Sequence, residues 1–235
     1  MNAGDSISTA NAAWTFAGET AKNFDPHVQK SVPLYNEGHH LILELSDFFL
    51  GEKSNCYDLG CSTGTLLKKI SIRNEHKHCN YIGIDKEKDM TMLAAQTCKG
   101  HESIRIIHDD LLNAEIEDAD MIVSYYTMQF VKPKVRQLMF NRIFQGLNWG
   151  GAFVFFEKVR ASDARFQDIM STIYMDYKLR QGYQPDEIIS KTKSLKGVLE
   201  PFSTQGNIDL MKRAGFTDII SIMKYVCFEG FLAIK

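Results

Sequence analysis

Three acidic side chains in the first half of the sequence are spaced so that they could hold a nucleoside. Asp58 opens the run DLGCSTG (58–64), in which Gly60 and Gly64 let the backbone pass close to a bulky ligand and the amides around Cys61 and Ser62 can bind polar groups. The same run could also be a plain turn between a strand and a helix. A dinucleotide fingerprint G-x-G-x-x-G needs glycine where this chain has Ser62, so the spacing points away from NAD. Asp85 lies about twenty residues beyond the turn, where a carboxylate can accept from both ribose hydroxyls or cap the next helix. Asp110, with the backbone of Leu111, is suited to an adenine amino group and ring nitrogen, or again to a cap.

These acids can act together only if consecutive strands end side by side at one edge of a sheet. NCYDLG (55–60), YIGID (81–85) and SIRIIHDD (103–110) read as three such strands, separated by helical runs at 66–73 and 88–98. MIVSYY (121–126) and GAFVFFEKV (151–159) add two more around a helix at 134–147 that stops at Asn148 and the Gly150-Gly151 turn. Five strands alternating with helices predict a parallel sheet covered on both faces. The closing run TDIISIMKYVCFEGFLAIK supplies two strands with so short a connection that they must be antiparallel. A mostly parallel α/β sheet of seven strands with a C-terminal antiparallel hairpin is the Rossmann-like architecture of class I S-adenosylmethionine (SAM) methyltransferases.

Around that frame, helices are expected at 35–49, 161–180, 183–200 and 207–216. The whole of 1–235 reads as one domain, with 1–34 an N-terminal arm or lid and 160–206 a helical insertion over the site. Trp14, Phe16 and Phe24 are too apolar to leave in water, so the arm should fold over something, either the site or a second chain. A net charge of −2 lacks the basic footprint of nucleic-acid or anionic-membrane binding. No run of eighteen apolar residues occurs, and five scattered cysteines form no zinc spacing, which together favour a reducing cytoplasm and no metal. His76, His78 and Cys79 fall in a charged loop and read as solvated. Cys61 reads as a small space-filler in the turn. His39 could be a base or a capping histidine, and Glu157 could orient an acceptor or pair with Lys158 or Arg160. Tyr126, Tyr174, Tyr177 and Tyr183, with Met128, Met170 and Met175, could line an acceptor pocket or simply fill core.

From about Phe24 to Lys235 the chain resembles carboxy-S-adenosyl-L-methionine synthases, which convert SAM and prephenate into the carboxylated cofactor used to modify a tRNA wobble uridine. The resemblance rests on QKSVPLY (29–35), YDLGCSTG (57–64), IGID (82–85), TMQF (127–130), QGLNWGGAFVFFEK (145–158), DYKLRQGY (176–183) and MKRAGF (211–216). It implies SAM as cofactor, touched by Tyr35, Gly60, Cys61, Ser62, Asp85, Lys86, Asp110, Leu111 and position 125. It also implies a homodimer. Two positions depart from the family: Thr192 stands where the family has an arginine that pairs with the carboxylate of the carboxylated cofactor, and Tyr125 stands where it has an asparagine. A neighbouring lysine, Lys191 or Lys193, would point elsewhere on a helix and lacks the guanidinium's fork. The reading that follows is a SAM-dependent methyltransferase acting on a small molecule, with Tyr125, Thr192, Glu157 and His39 as candidate catalytic groups. The alternatives are the synthase itself and a non-catalytic SAM-binding protein.

Overall fold

Seven strands pair into one sheet in the computed structural model, which describes residues 1–5 and 7–235. β1 (Asn55–Leu59), β2 (Asn80–Asp85), β3 (Ile104–His108), β4 (Ala119–Tyr125) and β5 (Leu147–Lys158) are parallel. β6 (Asp218–Tyr225) and β7 (Phe228–Ile234) complete the order β3-β2-β1-β4-β5-β7-β6, with β7 antiparallel to both of its neighbours. This is the expected mixed Rossmann-like sheet.

Period-two alternation sends each strand's side chains to two separate cores. On one face Leu59, Ile84, Ile122, Phe153 and Phe155 pack with Met139, Phe140 and Ile143 of α6 (Pro133–Gly146) and with Leu210 and Met211 of α9 (Thr204–Ala214). On the other, Cys56, Tyr81, Val123, Val154 and Phe156 meet Ile42 of α3 (Tyr35–Phe49) and Leu66, Leu67 and Ile70 of α4 (Thr65–Arg73). Each fully buried phenylalanine of β5 contributes roughly 1.5–3 kcal/mol. Double-sided burial therefore fixes the sheet rigidly beneath the loops at its carboxyl edge.

Four boundaries differ from the sequence reading. β3 stops at His108, whose register partner is Asp85, so Asp110 sits two residues past the strand, where its carboxylate accepts from Leu112 N (2.9 Å) and turns the chain. β5 begins at Leu147, directly after α6, because Leu147 pairs with Ala119 before a register shift admits Gly150 and Gly151. α7 (Ala164–Arg180) starts late, where Asp163 caps it by accepting from Phe166 N (3.0 Å). α8 (Pro185–Ser194) is shorter than 183–200, since Leu195 closes it and Gly197 takes a φ of +70°.

The first thirty-odd residues carry α1 (Glu19–Lys22) and α2 (Phe24–Ser31). Trp14 is only 9 % exposed, packed with Ile7, Phe16, Leu195 and Val198, and Ala12 N and Trp14 N donate to the carbonyls of Lys193 and Ser194. The chain's own α8 region thus covers these aromatics, and the argument that they need a second chain falls.

Candidate functional site

A cavity of about 760 Å³ opens at the carboxyl ends of β1, β2, β4 and β5, under residues of the N-terminal segment, α7 and α8. Its size suits a nucleoside ligand together with a second small molecule. Asp58, Gly60, Cys61, Ser62, Asp85, Lys86, Asp110, Leu111, Tyr35, Tyr125 and Thr192 all line it. The three acids expected at one sheet edge are therefore brought together, Asp110 from the loop rather than from the strand.

Asp85 is the organiser of the turn. Its carboxylate accepts from Ser62 N and Glu87 N, both at 2.9 Å, which leaves lone pairs on both oxygens for ribose hydroxyls. Burial raises its pKa, and those two amides oppose the rise. The bond to Ser62 also explains that position. Ser62 has a φ of +52°, a conformation that favours glycine, and the carboxylate holds it there. The glycine-like geometry of the fingerprint is present without the glycine.

Gly60 and Gly64 are both required by the packing of the turn, and Gly60 also lines the cavity. At Gly60 (φ +80°) a Cβ would collide with the Thr127 side chain, and at Gly64 (φ +75°) it would lie 3.0 Å from Cys98 Sγ and 3.1 Å from Ala94 Cβ. Gly64 does not line the cavity at all. Both glycines let the turn pack against its neighbours, so a larger side chain at position 60 would disturb the fold as well as the site.

Asp58 is 2 % exposed, and its Oδ1 has no hydrogen-bond partner among the described residues, although it lines the cavity. Burial, then the nearby Asp85, pushes its pKa up to about 7. A buried lone carboxylate is costly unless a cation meets it. The α-ammonium of an amino-acid-bearing nucleoside would satisfy it, and the dinucleotide alternative offers no such group. The residues present therefore fit SAM. Because the pair requires an ionised carboxylate, SAM affinity is expected to fall about tenfold per unit as pH drops below 7, and to fall again above about 8 as the ligand's own α-ammonium loses its proton. Calorimetric titrations between pH 5.5 and 8.5 check this; Asp58→Asn should flatten the acid limb of the profile, and a flat wild-type acid limb would exclude the role.

Aromatic rings form the wall beside this acid. Tyr35 and Tyr125 have ring centroids 4.9 Å apart, Tyr125 packs on Phe156 at 5.0 Å, and Tyr125 Oη donates to the Tyr35 carbonyl at 2.5 Å. Such faces attract a sulfonium by the ring quadrupole. Burial keeps both phenols neutral by raising their pKa values. Tyr126 and Tyr174 also line the cavity, whereas Tyr183 is tied to Asp5 and Ser31, Met128 is core and Met175 is exposed. The buried Cys61 thiol has its pKa raised by burial, then by Asp58, in keeping with a space-filler.

Two candidate catalytic groups do not reach the cavity. His39 is buried behind Tyr35 and Tyr125, with ring centroids at 4.7 and 4.9 Å. Burial and then Lys69 lower its pKa to about 3, so it is a neutral packing group. Glu157 points to the opposite face of β5 from Lys158, is 1 % exposed and forms no ion pair with Lys158 or Arg160. Burial drives its pKa well up, opposed by Arg136 and the amides of Met128 and Gln129.

Sequence reasoning missed the cations. Lys158, Lys178 and Lys191 all line the cavity, while Thr192 spends its hydroxyl on the Ile188 carbonyl at 2.8 Å. The expectation that Lys191 points away is thus corrected: the roof formed by the N-terminal segment turns that face of α8 inward. A signal was available in α7, where Gln167, Ser171, Tyr174 and Lys178 recur at helical spacing and all face the cavity. Asp25 went unnoticed as well; from α2 it accepts from Thr63 Oγ1 (2.8 Å) and Thr65 Oγ1 (3.1 Å), pinning the N-terminal segment to the cofactor turn.

Comparison with known proteins agrees with this geometry. A family described as a methyltransferase domain matches residues 57–151. A carboxy-S-adenosyl-L-methionine synthase of Staphylococcus epidermidis is 39 % identical over 223 residues, covering 94 % of this chain and 97 % of the relative. One from Sulfurimonas denitrificans is 35 % identical over 225 residues, covering 94 % of each. Among solved structures, a putative O-methyltransferase of Nostoc punctiforme superposes with a TM-score of 0.65 at 14 % identity, over 92 % of this chain and 59 % of that one. Human N-acetylserotonin methyltransferase in complex with SAM gives 0.61 at 16 % identity, over 86 % and 52 %. These distant likenesses show the class I methyltransferase fold, and the near relatives show more: the chain is a SAM-dependent enzyme and belongs to the carboxy-S-adenosyl-L-methionine synthase family.

Proposed function

We propose that this enzyme makes carboxy-S-adenosyl-L-methionine from SAM and prephenate, as the names and resemblance of its relatives imply. The observation that carries the reading is the lysine-lined half of the cavity, directly beside the candidate SAM cradle. The departure at Thr192 argues against the synthase only if no other cation reaches the cavity, and Lys191 does reach it. SAM supplies a methyl carbon made electrophilic and acidic by its sulfonium. The protein's own residues then have separable tasks: Asp85 and Asp110 hold the nucleoside, Asp58 the ammonium, the aromatic wall the sulfonium, and the lysines neutralise carboxylates. Packing of residues 14–32 of the N-terminal segment and of α7–α8 over the cavity excludes water, as the lid and helical insertion of a single domain.

A second reading, methyl transfer to a small acceptor, draws on Tyr125, whose hydroxyl is spent on the Tyr35 carbonyl and so offers no free donor in place of an amide. Mass spectrometry of the protein incubated with SAM and prephenate separates the two. Formation of the carboxylated cofactor is expected; unchanged SAM, with demethylated product appearing only when another acceptor is supplied, would select methyl transfer.

The proposal includes a homodimer and a cytoplasmic location. α7 is inverted for a helix on a water-soluble surface: its polar stripe faces the cavity, while Phe166, Ile169, Ile173 and Leu179 face outward and are exposed. An outward apolar stripe of this kind calls for a partner. Light scattering at micromolar concentration should give twice the chain mass, and a monomer would refute the pairing. All five thiols are free and buried, as a reducing compartment permits, and among the described residues no helix is long and apolar enough to cross a membrane.

A further inference from the structure

The half of the cavity away from the nucleoside acids is a buried compartment of like charge. Lys158 at the end of β5 and Lys178 near the end of α7 place their Nζ atoms over the Tyr174 ring, 4.4 and 4.7 Å from its centroid. Lys191 Nζ, from α8, stands 5.1 Å from the Trp14 ring centroid and donates to Ser31 Oγ at 2.8 Å. None of the three forms an ion pair among the described residues. The nearby carboxylate, Asp5, is committed elsewhere, to Lys30 (2.7 Å), His27 Nδ1 (2.7 Å) and Tyr183 Oη (2.9 Å). Because His27 Nδ1 donates to Asp5, its Nε2 is left as an acceptor beside Lys191 Nζ. The N-terminal segment thus aims the lysine without neutralising it.

Three ammonium groups sharing one buried space repel each other, and the aromatic faces, with Ser31 Oγ and His27 Nε2 at Lys191, offset part of that cost. Burial and then Lys178 lower the pKa of Lys191 to about 7, and burial and then Lys158 lower that of Lys178 to about 8. The groups around Lys191 are His27, Lys30 and Asp5 from the N-terminal segment, Lys178 from α7, Tyr183 just beyond it, and Lys158 from β5. Asp5 is the one acid in this set. Such a compartment is most stable with an anion in it.

We propose that Lys158, Lys178 and Lys191 form the subsite for the carboxylates of the second substrate, a small dicarboxylate, and that Lys191, positioned by the Asp5–His27 pair, is its specificity-determining residue. The assignment rests on the synthase reading for the identity of the dicarboxylate, and its test is built to stand apart from turnover. Prephenate binding is measured by calorimetry on protein saturated with S-adenosylhomocysteine, for wild type, Lys191→Gln, Lys158→Gln and Lys191→Arg. Loss of one charged contact should weaken prephenate by about tenfold or more in each glutamine variant, with SAM affinity held within about twofold. In the wild type prephenate affinity should begin to fall as pH rises past about 7, where Lys191 loses its proton, and Lys191→Arg, which stays charged, should move that onset upward, toward the titration of Lys178 at about 8.

If Lys191→Gln does not fold, as judged by circular dichroism, Lys158→Gln carries the same test. Wild-type protein that fails to bind prephenate, glutamine variants that bind it normally, or variants that lose SAM equally would each overturn the subsite. Lysine-dependent binding without formation of the carboxylated cofactor would uphold the subsite and sink the synthase reading instead.

Discussion

Asp85→Ala is expected to raise the SAM dissociation constant about a hundredfold, equivalent to about 3 kcal/mol. The loss has two sources. Two ribose hydroxyls lose a charged acceptor, an interaction of roughly 1.5–3 kcal/mol. Ser62 loses the carboxylate that holds its N–H and its φ of +52°, so the turn bearing Gly60 and Cys61 relaxes away from the cavity. Asp85→Asn should fall between, because its amide can satisfy one of the two N–H donors, Ser62 or Glu87, while its NH₂ opposes the other. Calorimetric affinity for Asp85→Ala within a factor of two of wild type would remove Asp85 from the site.

The largest stability effect is expected at Arg136, which is 1 % exposed and contacts no part of the nucleoside edge. Its guanidinium donates to the carbonyls of Val131 (2.7 Å), Glu200 (3.0 Å) and Gln129 (3.4 Å) and stacks 4.2 Å from the centroid of Phe202. Gln129, Val131 and Glu200 belong to two rim segments of the cavity, so one side chain ties the segment after β4 to the segment after α8. Arg136→Ala would leave these carbonyls unpaired and Glu157 without its neighbouring cation, a loss of about 3–5 kcal/mol. Urea denaturation with an unchanged m-value measures it; a change under about 1 kcal/mol would show that water replaces the guanidinium at no cost. SAM affinity should fall in the same variant through the loosened rim.

The sheet was legible because its strands are apolar on both faces and its turns carry glycine and aspartate, signals that act within a few residues. Asp58 and Asp85 were legible for the same reason: one is the penultimate and the other the last residue of its strand. What escaped depends on contacts distant in sequence. Lys191 faces the cavity because residues 12–31 pack on α8, about 160 positions away, as its bond to Ser31 records. Glu157 and Lys158 are adjacent in sequence and face opposite sides of β5, so strand position alone assigned the wrong one to the site. His39 was drawn in by its closeness to Tyr35, yet a helical turn carries it behind the aromatic wall. At the arginine-to-threonine departure, what the sequence did not show was the direction of the neighbouring lysine: Lys191 lines the cavity together with Thr192.

The placement of β7 between β5 and β6 also dictates an order of assembly. The outer edge of β5, AFVFFE (152–157), is the most apolar strand of the molecule, and its antiparallel partner lies some seventy residues downstream. During synthesis that edge exposes unpaired N–H and C=O groups until residues 228–234 emerge, and β6 has nothing to pair with before then. Pairings so distant in sequence close late and slowly. In that interval the β5 edge is open to strands of other nascent copies, so it is the segment where misassembly would begin.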